Sequence, residues 1–322
     1  MLRKFIIPNT DSILIEMLTK ASDIVEEIIG YNENALLGYA DLIERNQYES
    51  PPYYKLAVLQ LWRGAIEIVE SIKTLIRGNS CHSIGILLRT LFEFNLAVGF
   101  IYSDPTLTQK RAAAYIGVHL LKQQEELSKF SADDCNKDFQ ECIGLNIVQE
   151  IAAERNIAHE INVLQECFDR YPELKEVQQE YARVRCSKQG RKKKGKVNVE
   201  WYELFRGQAS ISKLAELQKK KSIYLSLYHS TSRKVHAIGA MYDWRPDSLK
   251  NPKIPDLKQL ASEVDWVLTL LDEIGIYILK EQRSDLLTTY KISHLRAREY
   301  ANQFCEEVKK IEIVVEIVPR TE

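Results

Sequence analysis

The stretch SIGILLRTLFEFNLAVGFIY, from Ser83 to Tyr102, decides the fold class of this protein. Its apolar side chains occur almost all the way round a helix, a pattern typical of a central helix that neighbouring elements bury on every side. Arg89 and Glu93 lie in the middle of this stretch, one helical turn apart. Burying an unpaired charge is costly, so we expect these two side chains to pair with each other and with further polar groups.

Length and composition indicate a soluble globular protein. The chain has 322 residues, of which 45% are hydrophobic and 28% are charged, the ordinary balance for this class. Its 44 basic and 45 acidic residues leave a net charge of -1, so no overall field attracts nucleic acid or anionic lipid. Only 13 Gly and 9 Pro punctuate the chain, which favours long helices over many short strands.

Several classes of site and location are excluded by missing patterns. There is no Cys-x-x-Cys pair, His-Glu-x-x-His motif, Glu-x-x-His pair or glycine-rich phosphate loop, so the sequence predicts no metal and no cofactor. The N-terminal apolar run is too short for a signal peptide. The stretch 83–102 is long enough to span a membrane, but a central Arg and Glu would be costly there. We therefore expect a cytoplasmic protein with no membrane partner.

The hydrophobic periodicity predicts an all-α multi-helix bundle, with a short terminal β-pair or a single C-terminal strand. The strand is predicted for the β-branched segment IEIVVEIVP, with the N-terminal KFIIP as its pairing partner. Residues 1–280 are expected to form the bundle domain, and residues 281–322 a C-terminal helix plus strand. The main predicted helices extend to about residue 46 and cover 53–77, 83–102, 107–129, 139–185 with a break at Pro172, 222–242, 256–280 and 284–310.

A second group of polar residues lies in the segment YLSLYHSTSRKVHAIGAMYDW. Tyr224, Tyr228, Ser232 and His236 follow one another at four-residue intervals. Each step of four residues advances the direction by about 40° around a helix, so the four side chains form a slowly winding stripe. The stripe borders the apolar side of the predicted helix, which places it at the edge of the core.

These motifs resemble an uncharacterised bacterial family of all-helical domains. The resemblance covers residues 56–242 and runs in order through an Arg-x-x-x-Glu helix, a Trp in WYELF, an intervening helix and a Tyr-x-x-x-Tyr-x-x-x-Ser-x-x-x-His helix. The family brings no established reaction. The resemblance implies that six residues belong together: Arg89, Glu93, Tyr224, Tyr228, Ser232 and His236.

This set of residue types suits chemistry on a phosphodiester. An Arg can hold a phosphate through two hydrogen bonds, and a His can transfer protons near neutral pH. The set is similar in kind to that of the HEPN-superfamily ribonucleases, which cut RNA without metal. Their usual Arg, four to six residues, His motif is absent here. The first hypothesis is accordingly a metal-independent RNA-cleaving enzyme of a toxin-like or phage-defence kind.

Two other hypotheses explain the same residues. In one, the polar groups form a hydrogen-bonded network that sets the register of two helices in a non-catalytic interaction protein. In the other, they form a pocket for a small anion without turnover. Lysine-rich stretches at 187–198 and 219–221 offer a weaker nucleic-acid contact, although a solvated loop is the simpler interpretation. The candidate contacts in the first stretch are Arg191, Lys192, Lys193, Lys194 and Lys196.

Overall fold

The fold is all-α, as the sequence predicts. The structure is a computed structural model that describes residues 8–45, 52–130, 156–190, 197–235 and 256–317. Over these residues the chain forms ten α-helices, two short 3-10 turns at Cys81–Ser83 and Trp201–Glu203, and no strand. The helices are α1 (Pro8–Arg45), α2 (Tyr53–Arg77), α3 (Ile84–Tyr102), α4 (Thr108–Ser128), α5 (Ile157–Arg170), α6 (Pro172–Gln189), α7 (Ile211–Leu217), α8 (Lys221–Val235), α9 (Leu257–Gln282) and α10 (Ser284–Ile317).

Local chemistry explains where several helices begin and end. Pro172 occupies the first turn of α6, where its missing N–H is not needed, so the break before it falls as predicted. Helix α2 ends at Arg77 as predicted, and Asn79, in a left-handed conformation (φ 55°), turns the chain after it. The N–H of Asn79 bonds Ile76 O and that of Ser80 bonds Leu75 O, the Schellman pattern in which Asn is the usual substitute for Gly.

The predicted C-terminal strand is wrong over the part that the structure describes. Residues 311–317 continue helix α10 without interruption, and the N-terminal segment 4–7, its predicted pairing partner, lies outside the described residues. Strand propensity of β-branched residues is a weak preference that depends on a neighbouring strand. Extending a helix that already exists adds one hydrogen bond for each residue ordered, so elongation is the easier course.

The packing of the backbone divides the chain into two compact units that alternate along the sequence. Unit 1 comprises Met1–Ser50, Val58–Gly99 and Ala215–Glu322, and unit 2 comprises Pro51–Ala57 and Phe100–Leu214. The domain boundary at residue 280 stays a prediction.

Unit 1 is built around three mutually packed helices, α1, α9 and α10. A buried amide links them to α2, because Asn32 Oδ1 accepts hydrogen bonds from Trp62 Nε1 at 3.0 Å and from the Tyr290 hydroxyl at 2.9 Å. The amide nitrogen of Asn32 donates to Ile28 O at 2.9 Å, so both ends of the side chain are bonded. A buried polar group whose oxygen and nitrogen are both bonded in this way favours one arrangement of its helices over others.

Unit 2 packs α4 against α5, α6 and the turn Trp201–Glu203. Arg111 on α4 is buried and donates to Phe100 O at 2.9 Å and to Ser103 Oγ at 2.7 Å. The guanidinium thus satisfies a carbonyl at the C-terminus of α3, where a positive charge also suits the helix dipole. Trp201, the tryptophan of the family-like WYELF segment, packs on Phe100 and Tyr115 in this unit.

The central apolar segment is mostly buried. Among the described residues, Cys81–Tyr102 is the one helical stretch whose length and composition would allow it to cross a membrane. About two thirds of its apolar window (67%) is covered by other parts of the protein, as in the core helix of a soluble domain. A cytoplasmic location stays a prediction.

We predict that Gly275→Ala destabilises the protein, because a Cβ at this position in α9 would overlap the buried phenol of Tyr290. Overpacking of this kind costs about 1–3 kcal/mol of unfolding free energy, measurable by urea denaturation. The matched control is Gly30→Ala in α1, where a Cβ meets nothing within 4 Å and a gain of about 0.5–1 kcal/mol is expected. Equal effects of the two substitutions would contradict the packing described here.

Candidate functional site

Helix α3 is buried on every side along its C-terminal half only, which corrects the expectation that neighbouring elements bury the whole helix on every side. All residues from Asn95 to Ile101 are buried. In the N-terminal half, one face that includes Ile86, Arg89 and Glu93 remains half-buried. The side chains of Arg89 and Glu93 are 29% and 38% exposed, so both charges keep contact with solvent. They form a site at the surface of unit 1 rather than a sealed ion pair.

Glu93 contacts both Arg89 and a tyrosine from a distant part of the chain. Arg89 Nε lies 3.5 Å from Glu93 Oε1, as the i,i+4 spacing on α3 predicts. The hydroxyl of Tyr228, on α8, donates a short hydrogen bond to the same carboxylate oxygen. The Arg89 guanidinium lies over the ring of Tyr228, with Cζ 4.1 Å from the ring centroid. One carboxylate thus holds a cation and a phenol against each other.

Tyr224 extends this arrangement by one more ring. Tyr224 and Tyr228 are one turn apart on α8, and their rings stack with centroids 4.3 Å apart and planes inclined by 29°. Both side chains are half-buried. The result is a layered group of a guanidinium and two phenol rings, which we call the Arg–Tyr–Tyr stack (Arg89, Tyr228, Tyr224).

The environment of Tyr228 favours the neutral form of its phenol. Burial is the largest cause, and the hydrogen bond to Glu93 and the charge of that carboxylate act in the same direction, so the pKa of Tyr228 is raised well above its usual value near 10. Arg89 opposes this shift without reversing it. At neutral pH the hydroxyl therefore remains a hydrogen-bond donor to Glu93.

The structure brings together four of the six predicted site residues: Arg89, Glu93, Tyr224 and Tyr228. Ser232 lies on α8, but its side chain is outside the described part. His236 and the basic-loop residues Arg191, Lys192, Lys193, Lys194 and Lys196 lie outside the described residues altogether. Within the described ranges, no group of three or more His, Cys, Asp or Glu side chains could hold a metal ion.

A buried lysine that the sequence pattern does not single out lies close to this site. Lys220 precedes α8 and is buried, with its ammonium bonded to Asn95 on α3 and Glu273 on α9. The sequence groups it with Lys219 and Lys221 as part of a solvated basic run, because neighbouring lysines look alike in a sequence. One signal could have separated it, since Lys220 lies four residues before Tyr224 and so begins the same stripe.

We predict that Tyr228→Phe lowers the unfolding free energy by about 1–2 kcal/mol, because it removes a hydrogen bond to a charged carboxylate at a half-buried position. The matched control is Tyr224→Phe, one turn away, whose hydroxyl has no hydrogen-bond partner among the described residues. It should change stability by less than about 0.5 kcal/mol. Urea denaturation at pH 7 measures both, and equal losses would contradict the role of the Glu93 bond.

The cost of Tyr228→Phe should also shrink at alkaline pH. The folded-state pKa of Tyr228 is raised, so its stabilising contribution is complete below the unfolded-state value near 10 and is lost as the pH rises through the folded-state value. The difference between wild type and Tyr228→Phe should therefore be smaller at pH 10.5 than at pH 8. A difference that grows over this interval would show that the pKa shift has the opposite sign.

Comparison with known proteins identifies one family. The model of a family of unknown function, DUF5677, matches residues 55–244, which is more than half of the chain and agrees closely with the range of the family resemblance noted from the sequence. The match includes all four residues that the structure brings together, as well as Ser232 and His236. No curated protein and no solved structure matches the chain. The chain therefore belongs to the DUF5677 family of unknown function.

Proposed function

We propose that the Arg–Tyr–Tyr stack is a binding site for a nucleotide unit of single-stranded RNA. The observation that supports this most directly is the half-exposed stack itself, in which Arg89 and Tyr224 lie on either side of Tyr228. Stacking on tyrosine rings and guanidinium planes is the common way in which proteins bind unpaired bases. Such stacking is worth about 1–3 kcal/mol for each base.

Arg89 supplies the contact for the phosphate group in this proposal. Its guanidinium has five N–H donors, and among the described side chains Glu93 is the one carboxylate within ion-pair distance. Donors that Glu93 does not use can bond phosphate oxygens in the two-point geometry that a lysine cannot provide. The pairing with Glu93 and the contact with Tyr228 keep the planar group in one orientation before the ligand arrives.

Glu93 makes the proposed site electrically balanced. Because its charge cancels that of Arg89, the site has no excess positive charge to attract a polyanion at long range. Binding would then depend on stacking and on short hydrogen bonds to a single nucleotide, and its salt dependence should correspond to about one phosphate contact. A site formed by the lysine-rich stretches would give a much steeper salt dependence.

We further propose that the protein cleaves the RNA that it binds. Arg89 would hold the scissile phosphate, His236 would transfer protons, and Tyr224, Tyr228 and Ser232 would orient the reacting groups. The four-residue spacing from Tyr224 to His236 supports this assignment. The similarity to HEPN ribonucleases and a role in toxin-like or phage-defence systems belong to the same proposal.

A non-catalytic role is the second candidate, and one observation favours it. The contacts among Arg89, Glu93 and Tyr228 join α3 to α8, so they would hold the two helices in register without any ligand. In that case substitutions at the site would lower stability and leave RNA binding unchanged.

We predict that Arg89→Gln weakens binding of a short single-stranded RNA by about 10- to 100-fold, the equivalent of one charge-assisted hydrogen-bond pair. Fluorescence anisotropy with a labelled oligonucleotide measures the affinity. The matched control is Arg63→Gln on α2, because Arg63 also pairs with a glutamate four residues on, at 3.0 Å, but is exposed. Equal affinity of both variants and wild type, with a lower melting temperature for Arg89→Gln, would favour the structural role.

We predict further that His236→Ala abolishes RNA cleavage and leaves RNA binding within about twofold of wild type, because loss of a general acid or base affects the chemical step. Purified wild type and variant are incubated with a labelled RNA in the presence of EDTA, and products are resolved on a gel. Absence of cleavage by the wild type, or equal cleavage by the two proteins, would remove the catalytic form of the proposal.

A further inference from the structure

The turn between α7 and α8 places one lysine inside the protein and leaves its two neighbours outside. Lys219 adopts a left-handed conformation (φ 58°), and its N–H bonds Glu216 O while that of Lys220 bonds Ala215 O. These are the two bonds of a Schellman motif, which ends α7 sharply and reverses the direction of the chain. Lys219 and Lys221 are exposed, whereas the side chain of Lys220 is only 9% exposed.

Lys220 joins three helices through a closed set of hydrogen bonds. Its Nζ donates to Asn95 Oδ1 at 2.6 Å and to Glu273 Oε2 at 2.5 Å. Asn95 is fully buried and donates in turn to Leu270 O and to Glu273 Oε2, both at 2.9 Å. The ammonium therefore has a charged partner and a polar partner, as a buried cation requires.

A second contact fixes the same turn to α3. The side-chain amide of Gln218 donates to Leu96 O at 2.7 Å. Gly99 lies one turn further along α3, and a Cβ there would overlap the Gln218 amide, so the turn approaches α3 closely at this point. The start of α8 is thus attached to the helix that carries Arg89 and Glu93.

We propose that Lys220 is the positioning residue that sets α8 on α3 and so holds Tyr228 against Arg89 and Glu93. Tyr228 lies eight residues beyond Lys220, about 12 Å along the helix at 1.5 Å per residue. Tilting the axis of α8 by about 5°, with Lys220 as the pivot, would move Tyr228 by about 1 Å, enough to break a hydrogen bond. As a determinant of RNA affinity, this role rests on the function proposed above.

The experiment replaces the buried amine and keeps the shape of the side chain. Lys220→Met preserves the aliphatic length but removes the charge and all three donors. Lys220→Gln, which keeps a donor, is the milder variant if Lys220→Met fails to fold. The matched control is Lys221→Met, the adjacent exposed lysine, whose Nζ lies 3.7 Å from Glu216. Circular dichroism checks that each variant is folded at the temperature used.

Two measurements report on the site. The first is the ¹⁹F spectrum of protein labelled with 3-fluorotyrosine, in which loss of a signal in Tyr228→Phe assigns Tyr228 among the 16 tyrosines. The second is the affinity for the short RNA. In folded Lys220→Met we expect the Tyr228 signal to move toward its position in urea, and the affinity to fall by about fivefold or more, the equivalent of one stacked base. Lys221→Met should leave both readouts near wild type.

The two readouts separate this inference from the proposed function. A Tyr228 signal that stays at its wild-type position in folded Lys220→Met and Lys220→Gln overturns the positioning role, whatever happens to RNA. If the signal moves while wild-type protein binds no RNA, Lys220 positions the stack and the proposed function is wrong. A lower melting temperature with both readouts unchanged would mean that Lys220 contributes to stability alone.

Discussion

The carboxylate of Glu93 connects two helices that are far apart in the sequence, and the arrangement of the site depends on this connection. It pairs with Arg89 on its own helix and accepts a hydrogen bond from Tyr228, 135 residues away. A free arginine side chain samples many rotamers, and fixing it costs about 2 kcal/mol of conformational entropy. The two contacts together keep the guanidinium on the tyrosine ring, so this entropy is already lost in the folded protein.

A comparison of two pairs in the same chain shows what tertiary contacts add to a local motif. Arg63 with Glu67 and Arg89 with Glu93 have the same spacing, and both form i,i+4 ion pairs. The first pair is exposed on both sides, at 66% and 58%, and an ion pair of that kind contributes little to stability. The second is half-buried beneath the rings of α8. The difference arises from the neighbouring helix and not from the motif.

The predicted helices agree with the structure where the periodicity is long and the end signals are clear. Helix α2 and the break before Pro172 were predicted correctly because proline and a sustained 3.6-residue pattern act within a few residues. The predicted C-terminal strand was wrong because the strand propensity of β-branched residues is weak and a continuing helix overrides it. The full burial expected for α3 was also wrong, because composition cannot show which side of an apolar helix its neighbours leave uncovered.

The sequence by itself determined that Arg89 and Glu93 share one face of α3 and that Tyr224 and Tyr228 share one face of α8, because helix geometry is local and follows from spacing alone. The all-α class followed from the same periodicity. Only the tertiary structure decided that the two faces meet and that the middle lysine of a three-lysine run is buried between α3 and α9. Both outcomes depend on the packing free energy of segments that lie 53 to 135 residues apart in the chain, and no local sequence pattern reveals it.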